Sequence, residues 1–156
     1  MPIVFAPDEK ATEAIGTTIA HHLLPGDVVT LEGDLGAGKS ALARAIIRAR
    51  LGDRDLEVPS PSFAIVQPYP GILHADLYRI SEEAELDELG LLDDETAILL
   101  VEWPQRAPSL FSRSGLRIGI AMAPDTDGRL ITLEALGREA GDLVAALAPW
   151  QHQSPQ

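Results

Sequence analysis

The apolar and polar positions of this chain sort it into short strands interleaved with helices. Behind Asp8, the residues Ala14, Ile15, Thr18, Ile19, His22 and Leu23 recur at helical spacing, which predicts a capped helix from about Glu9 to Leu24. Pro25-Gly26 ends it and turns the chain into Asp27–Glu32, a β-branched apolar run that reads as a buried strand. Ser40 to Leu51 carries Ala41, Leu42, Ala43, Ala45, Ile46, Ile47 and Ala49 and reads as a second helix, stopped by Gly52. Phe63–Gln67 and Ile72–Leu77 read as strands joined by the breakers of Pro68-Tyr69-Pro70-Gly71. Ser81 then caps a short acidic helix. Ala97-Ile98-Leu99-Leu100-Val101 is apolar without alternation, the mark of a strand covered on both faces. Leu116–Ala123 and Leu130–Leu136 form a hairpin around Pro124–Gly128, with Leu116, Ile118, Ile120 and Met122 alternating as in a half-buried antiparallel edge. A last helix is expected from about Glu139 to Leu147.

Strands interleaved with helices predict an α/β chain: a mixed, largely parallel central sheet flanked by helices, with an antiparallel hairpin at one edge. A length of 156 residues suits one hydrophobic core, so residues 1–150 are expected to form a single domain and 151–156 a frayed, disordered tail. There is no internal repeat and no second domain boundary. The apolar share of 46% and charged share of 23% are those of an ordinary globular chain. The opening Met-Pro-Ile-Val-Phe-Ala-Pro-Asp lacks a basic segment followed by an apolar one, and no later run is long enough to span a bilayer. With no cysteine, which removes disulfides and thiolate metal sites, the expected address is the cytosol, away from membranes.

Charge narrows the range of partners. Twenty-four acids against 12 Lys and Arg leave a net charge of −12, which disfavours free-standing binding of RNA or DNA. Arg44, Arg48, Arg50 and Arg54 read as a solvated face with favourable charge at a helix C-terminus, or as a local nucleic-acid patch. Adjacent His21 and His22 diverge on a helix and do not share a ligand face. Eight acids between Glu82 and Glu95 form either a solvated face or a docking surface for a basic partner.

The chemistry concentrates in Gly33-Asp34-Leu35-Gly36-Ala37-Gly38-Lys39-Ser40, which matches the phosphate-loop pattern at every required position. Glycines let the backbone curl so that successive N–H groups converge on phosphate oxygens. Lys39 neutralises charge on the outer phosphates, and the Ser40 hydroxyl is placed to ligate magnesium. A strand before the loop and a helix after it supply the required context. The expected fold class is therefore a single-domain P-loop NTPase that binds a nucleoside triphosphate with Mg2+.

Two further stretches bear on that site. Val58-Pro59-Ser60-Pro61-Ser62-Phe63 is a stiff loop whose hydroxyls stand either as a γ-phosphate sensor or in a plain linker. Asp76 and Glu102 each end an apolar strand, and each can serve as the acid on the magnesium side. Glu102 follows the purer core strand and is favoured, with Asp76 orienting water or metal from a second position.

These landmarks in this order, the phosphate loop, Pro59-Ser60-Pro61-Ser62-Phe63, Asp76-Leu77-Tyr78-Arg79 and Val101-Glu102-Trp103-Pro104, resemble the TsaE (YjeE) family of small bacterial ATPases of tRNA threonylcarbamoyladenosine biosynthesis. The likeness spans nearly the whole chain, and the Glu-Trp-Pro signature makes it specific. It implies a compact α/β fold that binds ATP and magnesium and associates with TsaD and TsaB, which modify the adenosine beside the anticodon. It implies contact with tRNA only indirectly, through that complex. Residue by residue, Lys39 matches the phosphate-binding lysine, Ser40 and Glu102 the magnesium ligands, Ser62 a switch-like threonine, Asp76 an acid tied to hydrolysis, and Trp103 a tryptophan close to the nucleotide. Ser40 and Ser62 stand where threonine is common, which keeps the hydroxyl and loosens its rotamer. Gln105 stands where a glutamate often follows Glu-Trp-Pro.

Two rival activities fit the loop alone. A small-molecule or nucleotide kinase needs an acceptor pocket and an arginine-rich lid, for which the hairpin offers only Arg117 and Arg129. A nucleotide-gated binding module uses the same residues to fix a loop conformation, with little hydrolysis. Arg79 and Arg106 are the internal candidates for a cation at the γ-phosphate, and a partner is the external one.

Overall fold

The structure is a computed structural model that describes residues 2–59, 61, 66–81, 84, 85, 88, 90 and 95–152, with the side chain of Arg106 left out. Seven strands form one sheet in the order β1-β7-β6-β2-β5-β4-β3. They are β1 (Ile3–Ala6), β2 (Val28–Glu32), β3 (Val66–Tyr69), β4 (Ile72–Asp76), β5 (Ile98–Glu102), β6 (Gly115–Met122) and β7 (Arg129–Leu136). The middle is parallel: β2 lies between β5 and β6, and β4 follows β5. Antiparallel pairs, β3 with β4 on one side and β6–β7–β1 on the other, extend it both ways. The mixed sheet expected from the sequence is the one observed.

Helix α1 (Glu9–His21) starts where the sequence places it, with Asp8 accepting a 2.9 Å bond from the Ala11 N–H. Helix α2 (Lys39–Leu51) ends at Gly52, whose φ of 67° is the left-handed cap that glycine takes without a Cβ penalty. Both helices cover one face of the sheet. Ile15 and Ile19 of α1 and Leu42, Ile46 and Ile47 of α2 pack there on Val29, Leu31, Leu100, Ile118 and Ile131. The opposite face is closed by the chain after β4 and β5, where Leu77, Ile80, Ala107 and Leu110 meet Val28, Leu99 and Val101. All five residues of β5 are buried, as expected of a strand covered on both sides.

Several details depart from the sequence pattern. The buried stripe of α1 runs through Thr12, Ile15, Gly16 and Ile19, so Ala14, Thr18 and His22 lie on its flank. Pro68, expected in a turn, sits in β3 opposite Leu73; β3 is an edge strand, where a missing N–H costs no ladder bond. Met122 is 60% exposed at the end of β6, beyond the reach of the helices that bury Leu116, Ile118 and Ile120. The hairpin is not the margin of the sheet, because β1 pairs along β7 and covers it. The last helix, α3 (Gly141–Ala146), is shorter than predicted. The segment after it stays attached to β1, with Gln151 bridging Val4 and the His152 N–H donating to the Ile3 carbonyl at 2.8 Å. The expected strand start at Phe63–Ile65, much of the acidic helix and residues 153–156 lie outside the described residues. No helix among the described residues is long and apolar enough to cross a membrane.

The α1–α2 contact is close because Gly16 has no side chain. A Cβ there would stand 2.6 Å from the Cβ of Ala45. Glycine in a helix interior costs roughly 0.5–1 kcal/mol relative to alanine, and here the lost propensity is exchanged for helix-to-helix approach. Gly16→Val should lower the unfolding free energy by about 1–3 kcal/mol, the range for overpacking. Urea denaturation checks this, and an unchanged midpoint would contradict the packing account.

Candidate functional site at the carboxyl ends of the parallel strands

Strand β2 delivers the chain to Gly33, and the loop to Lys39 folds back over the strand end. Gly33 lies against β6 so closely that a Cβ would stand 2.3 Å from the Ile120 carbonyl oxygen. Gly36 (φ 82°) and Gly38 (φ 114°) both take left-handed conformations that L side chains rarely adopt. The Ala37 N–H donates to the Asp34 carbonyl at 3.0 Å, closing the turn. Gly38 is the N-cap of α2 and has no side chain to cap it, and no acid stands in the first turn. The first N–H groups of α2 therefore lack a side-chain acceptor and keep the partial positive charge of a helix start.

Arg129 secures the loop from the β6–β7 hairpin. Its Nε donates to the Ala37 carbonyl at 2.7 Å, and its Nη1 to the Asp127 and Gly128 carbonyls. Nothing in the sequence pattern marks this contact, which joins residues 92 positions apart.

Lys39 is 6% exposed. Its Nζ donates to the Gly33 carbonyl and lies 3.8 Å from the centroid of the Trp103 ring. Burial pulls its pKa below the ordinary lysine value, against the attraction of Glu102, Asp76 and Asp34. Trp103 itself has φ 59°, an uncommon conformation for a bulky residue, and its ring lies 5.0 Å from that of Tyr78. Backbone strain of this kind costs on the order of 1–3 kcal/mol and persists where the surroundings hold it.

Asp76 and Glu102 are register partners at the ends of β4 and β5 and share the face that carries α2. Asp76 Oδ1 accepts from the Tyr78 N–H at 2.9 Å. Glu102 Oε2 is 2.8 Å from His74 Nε2, in a pair buried at both ends. His74 carried no signal in the sequence, because one histidine in an apolar strand looks like any core residue.

These groups meet in one cavity of about 250 Å3, lined by Leu35, Gly36, Gly38, Lys39, Ser40, Asp76, Glu102 and Trp103. Of the other loop residues, Gly33 and Asp34 support the turn through their carbonyls, and Ala37 is buried beneath it. Ser62 lies outside the described residues. A larger cleft, of about 640 Å3, opens between α1 and the far end of α2, where Glu9, Glu13, Asp53 and Asp55 mix with Arg44, Arg48 and Arg54. Size does not select the site: of these two cavities, the smaller one joins a bare helix start to a lysine and two carboxylates.

The oxygens of Ser40, Asp76 and Glu102 are the hard donors that magnesium takes. Among the described residues no group of three or more His, Asp or Glu side chains makes a ready metal cage. Magnesium commonly completes its octahedron with phosphate oxygens and water, so a partial set of this kind fits it.

A family model described as "Threonylcarbamoyl adenosine biosynthesis protein TsaE" matches residues 6–131. The chain belongs to the TsaE family. Among its relatives, the tRNA threonylcarbamoyladenosine biosynthesis protein TsaE of Bacillus subtilis is 40% identical over 139 residues, covering 84% of this chain and 82% of the relative. The protein of the same name from Mycobacterium tuberculosis is 31% identical over 140 residues, covering 81% and 82%. The crystal structure of Bacillus subtilis YdiB superposes with a TM-score of 0.73 at 31% identity, covering 94% of this chain and 93% of that one. The resemblance carried by the loop and Glu102-Trp103-Pro104 is thus borne out, and a role in tRNA threonylcarbamoyladenosine biosynthesis comes with the family.

The lowered pKa of Lys39 makes a testable statement about stability. A lysine that binds its proton less tightly when folded destabilises the fold at pH values below its folded pKa, and the penalty fades as pH rises from there toward 10.5. Lys39→Met removes that dependence. The stability difference between native and variant chains, without nucleotide, should shift in favour of the native chain across that window. Thermal melts from pH 7 upward read it, and a pH-independent difference would refute it.

Proposed function

We propose that this chain binds Mg·ATP in the Gly33–Ser40 loop, hydrolyses it slowly, and in the cytosol assists the TsaD–TsaB complex in forming threonylcarbamoyladenosine in tRNA. One observation carries the reading: an uncapped helix start, Lys39, the Ser40 hydroxyl and the Asp76 and Glu102 carboxylates converge on a single cavity. The amides of the loop and of the first turn of α2 take the phosphate oxygens, and Lys39 adds a charge on the outer ones. Giving up its bond to the Gly33 carbonyl, the Lys39 ammonium needs to move only within the cavity to do so.

Ser40 Oγ and Glu102 would hold magnesium, which when bound supplies charge to the β- and γ-phosphate oxygens. Asp76 accepts a proton from, or orients, the attacking water; Ser62 is the other candidate for that task. Trp103 walls the cavity beside Lys39. No protein nucleophile is needed, since phosphoryl transfer depends on positioning and charge neutralisation. A further cation near the γ-phosphate is commonly worth about a thousandfold or more. Arg79, Arg106 or a partner's arginine would supply it, which is why the isolated chain is expected to be slow.

Tests of both halves are direct. Calorimetry with Mg·ATP should show binding that Lys39→Ala abolishes, and equal heats from the two chains would end the assignment. Glu102→Ala should keep measurable nucleotide affinity and lose hydrolysis by about a hundredfold or more, as expected when a charge-stabilising group is removed. Pull-down with TsaD and TsaB, with and without ATP, should recover the chain, and phosphate release should rise on assembly. Fast turnover of the isolated chain, unchanged by those proteins, would contradict the proposal.

A further inference from the structure

Among the described residues, His74 is a buried polar side chain beside the cavity that the proposed reaction leaves without a task. It lies on β4 opposite Leu100, two residues before Asp76, and so on the same face as Asp76 and Glu102. Only 2% of it is exposed, and its Nδ1 has no hydrogen-bond partner among the described residues. A buried polar atom without a partner costs roughly 1–3 kcal/mol. The neighbouring positions on this face, Ile72, Ile98 and Leu100, are aliphatic core residues, so an apolar side chain would fit at position 74 without that cost. Among the described residues, the polar contact of the ring is the 2.8 Å bond to Glu102 Oε2. A carboxylate only accepts, so Nε2 carries the hydrogen and donates it.

We infer that His74 is a positioning residue for the metal side of the site: its Nε2–H pins Oε2 of Glu102 and so holds the other carboxylate oxygen, Oε1, in the orientation that takes the divalent cation. The inference rests on the Mg·ATP reading above. A glutamate at a strand end has three side-chain torsions, and a single fixed donor behind it removes the freedom to swing away from the cavity. The layout is that of a ligand held by a hydrogen bond from a residue that does not itself touch the metal, an arrangement whose loss commonly costs 10–100-fold in metal affinity. It runs here from histidine to carboxylate. The strand register dictates the reach: His74 sits one side-chain layer below the Asp76–Glu102 pair, so its ring spans diagonally from β4 to β5.

The test separates orientation from bulk. His74→Leu puts an apolar side chain in the same buried position and removes the donor. His74→Gln places an amide N–H near the position of Nε2 and restores it. Paramagnetic resonance of Mn2+ with a non-hydrolysable ATP analogue reads cation affinity, and calorimetry of the same analogue in chelator reads the nucleotide alone. His74→Leu should bind Mn2+ at least tenfold more weakly with metal-free nucleotide affinity unchanged, while His74→Gln recovers most of the loss. If His74→Leu does not fold, His74→Met takes its place in the same comparison. Native-like Mn2+ affinity in the donor-less variant overturns the inference and leaves the Mg·ATP reading intact, as does a His74→Gln chain that folds yet binds Mn2+ as weakly. Absence of a nucleotide-dependent Mn2+ site in the native chain overturns both.

Discussion

Helix α2 begins without a cap, and the rest of the molecule is arranged around that omission. Most helices satisfy their first N–H groups with a serine, aspartate or asparagine, as α1 does with Asp8. Gly38 cannot, and its left-handed backbone turns the preceding loop away from those donors. Leaving them open costs stability unless something else accepts from them. The loop also has to be kept from collapsing into the gap. Arg129 holds the Ala37 carbonyl, Gly33 abuts Ile120, and Lys39 bonds to the Gly33 carbonyl.

Electrostatics reinforce the same point. Lys39 is buried enough to have its pKa pulled down although three carboxylates face it. Its ammonium rests on the Trp103 ring, a weak substitute for a full counter-charge. In the same cavity, Asp76 and Glu102 end adjacent strands side by side, and each accepts a hydrogen bond: from the Tyr78 N–H for the first, from His74 Nε2 for the second. Positive and negative groups thus line one cavity. In the proposed reading, a polyphosphate with its cation would join them, the phosphates meeting the lysine and helix start and the metal meeting the acids.

Much of this is legible in the sequence. The loop, the strand before it, the helix after it and the two strand-end acids all follow from local rules, and they reappear within a residue or two of their expected bounds. Other features are not. Strand β1 is four residues long, too short for alternation to show, and pairs with β7 far along the chain. Pro68 reads as a breaker unless its strand is known to lie at an edge. The buried stripe of α1 is rotated from its apolar pattern because small Gly16, not a large apolar residue, marks its contact with α2.

The sequence by itself determined where the backbone must turn, where a helix must start bare, and which residue types would line the result. Those are short-range matters of φ, caps and periodicity, settled among neighbours. Which distant groups meet depends on how the strands assemble. His74 reaches Glu102 across 28 positions and Arg129 reaches Ala37 across 92, because strand order and register bring them together. Trp103 adopts a conformation its own residue type disfavours because Lys39 and Tyr78 pack around it. Such contacts depend on the order of strands in a sheet, which local pattern does not encode.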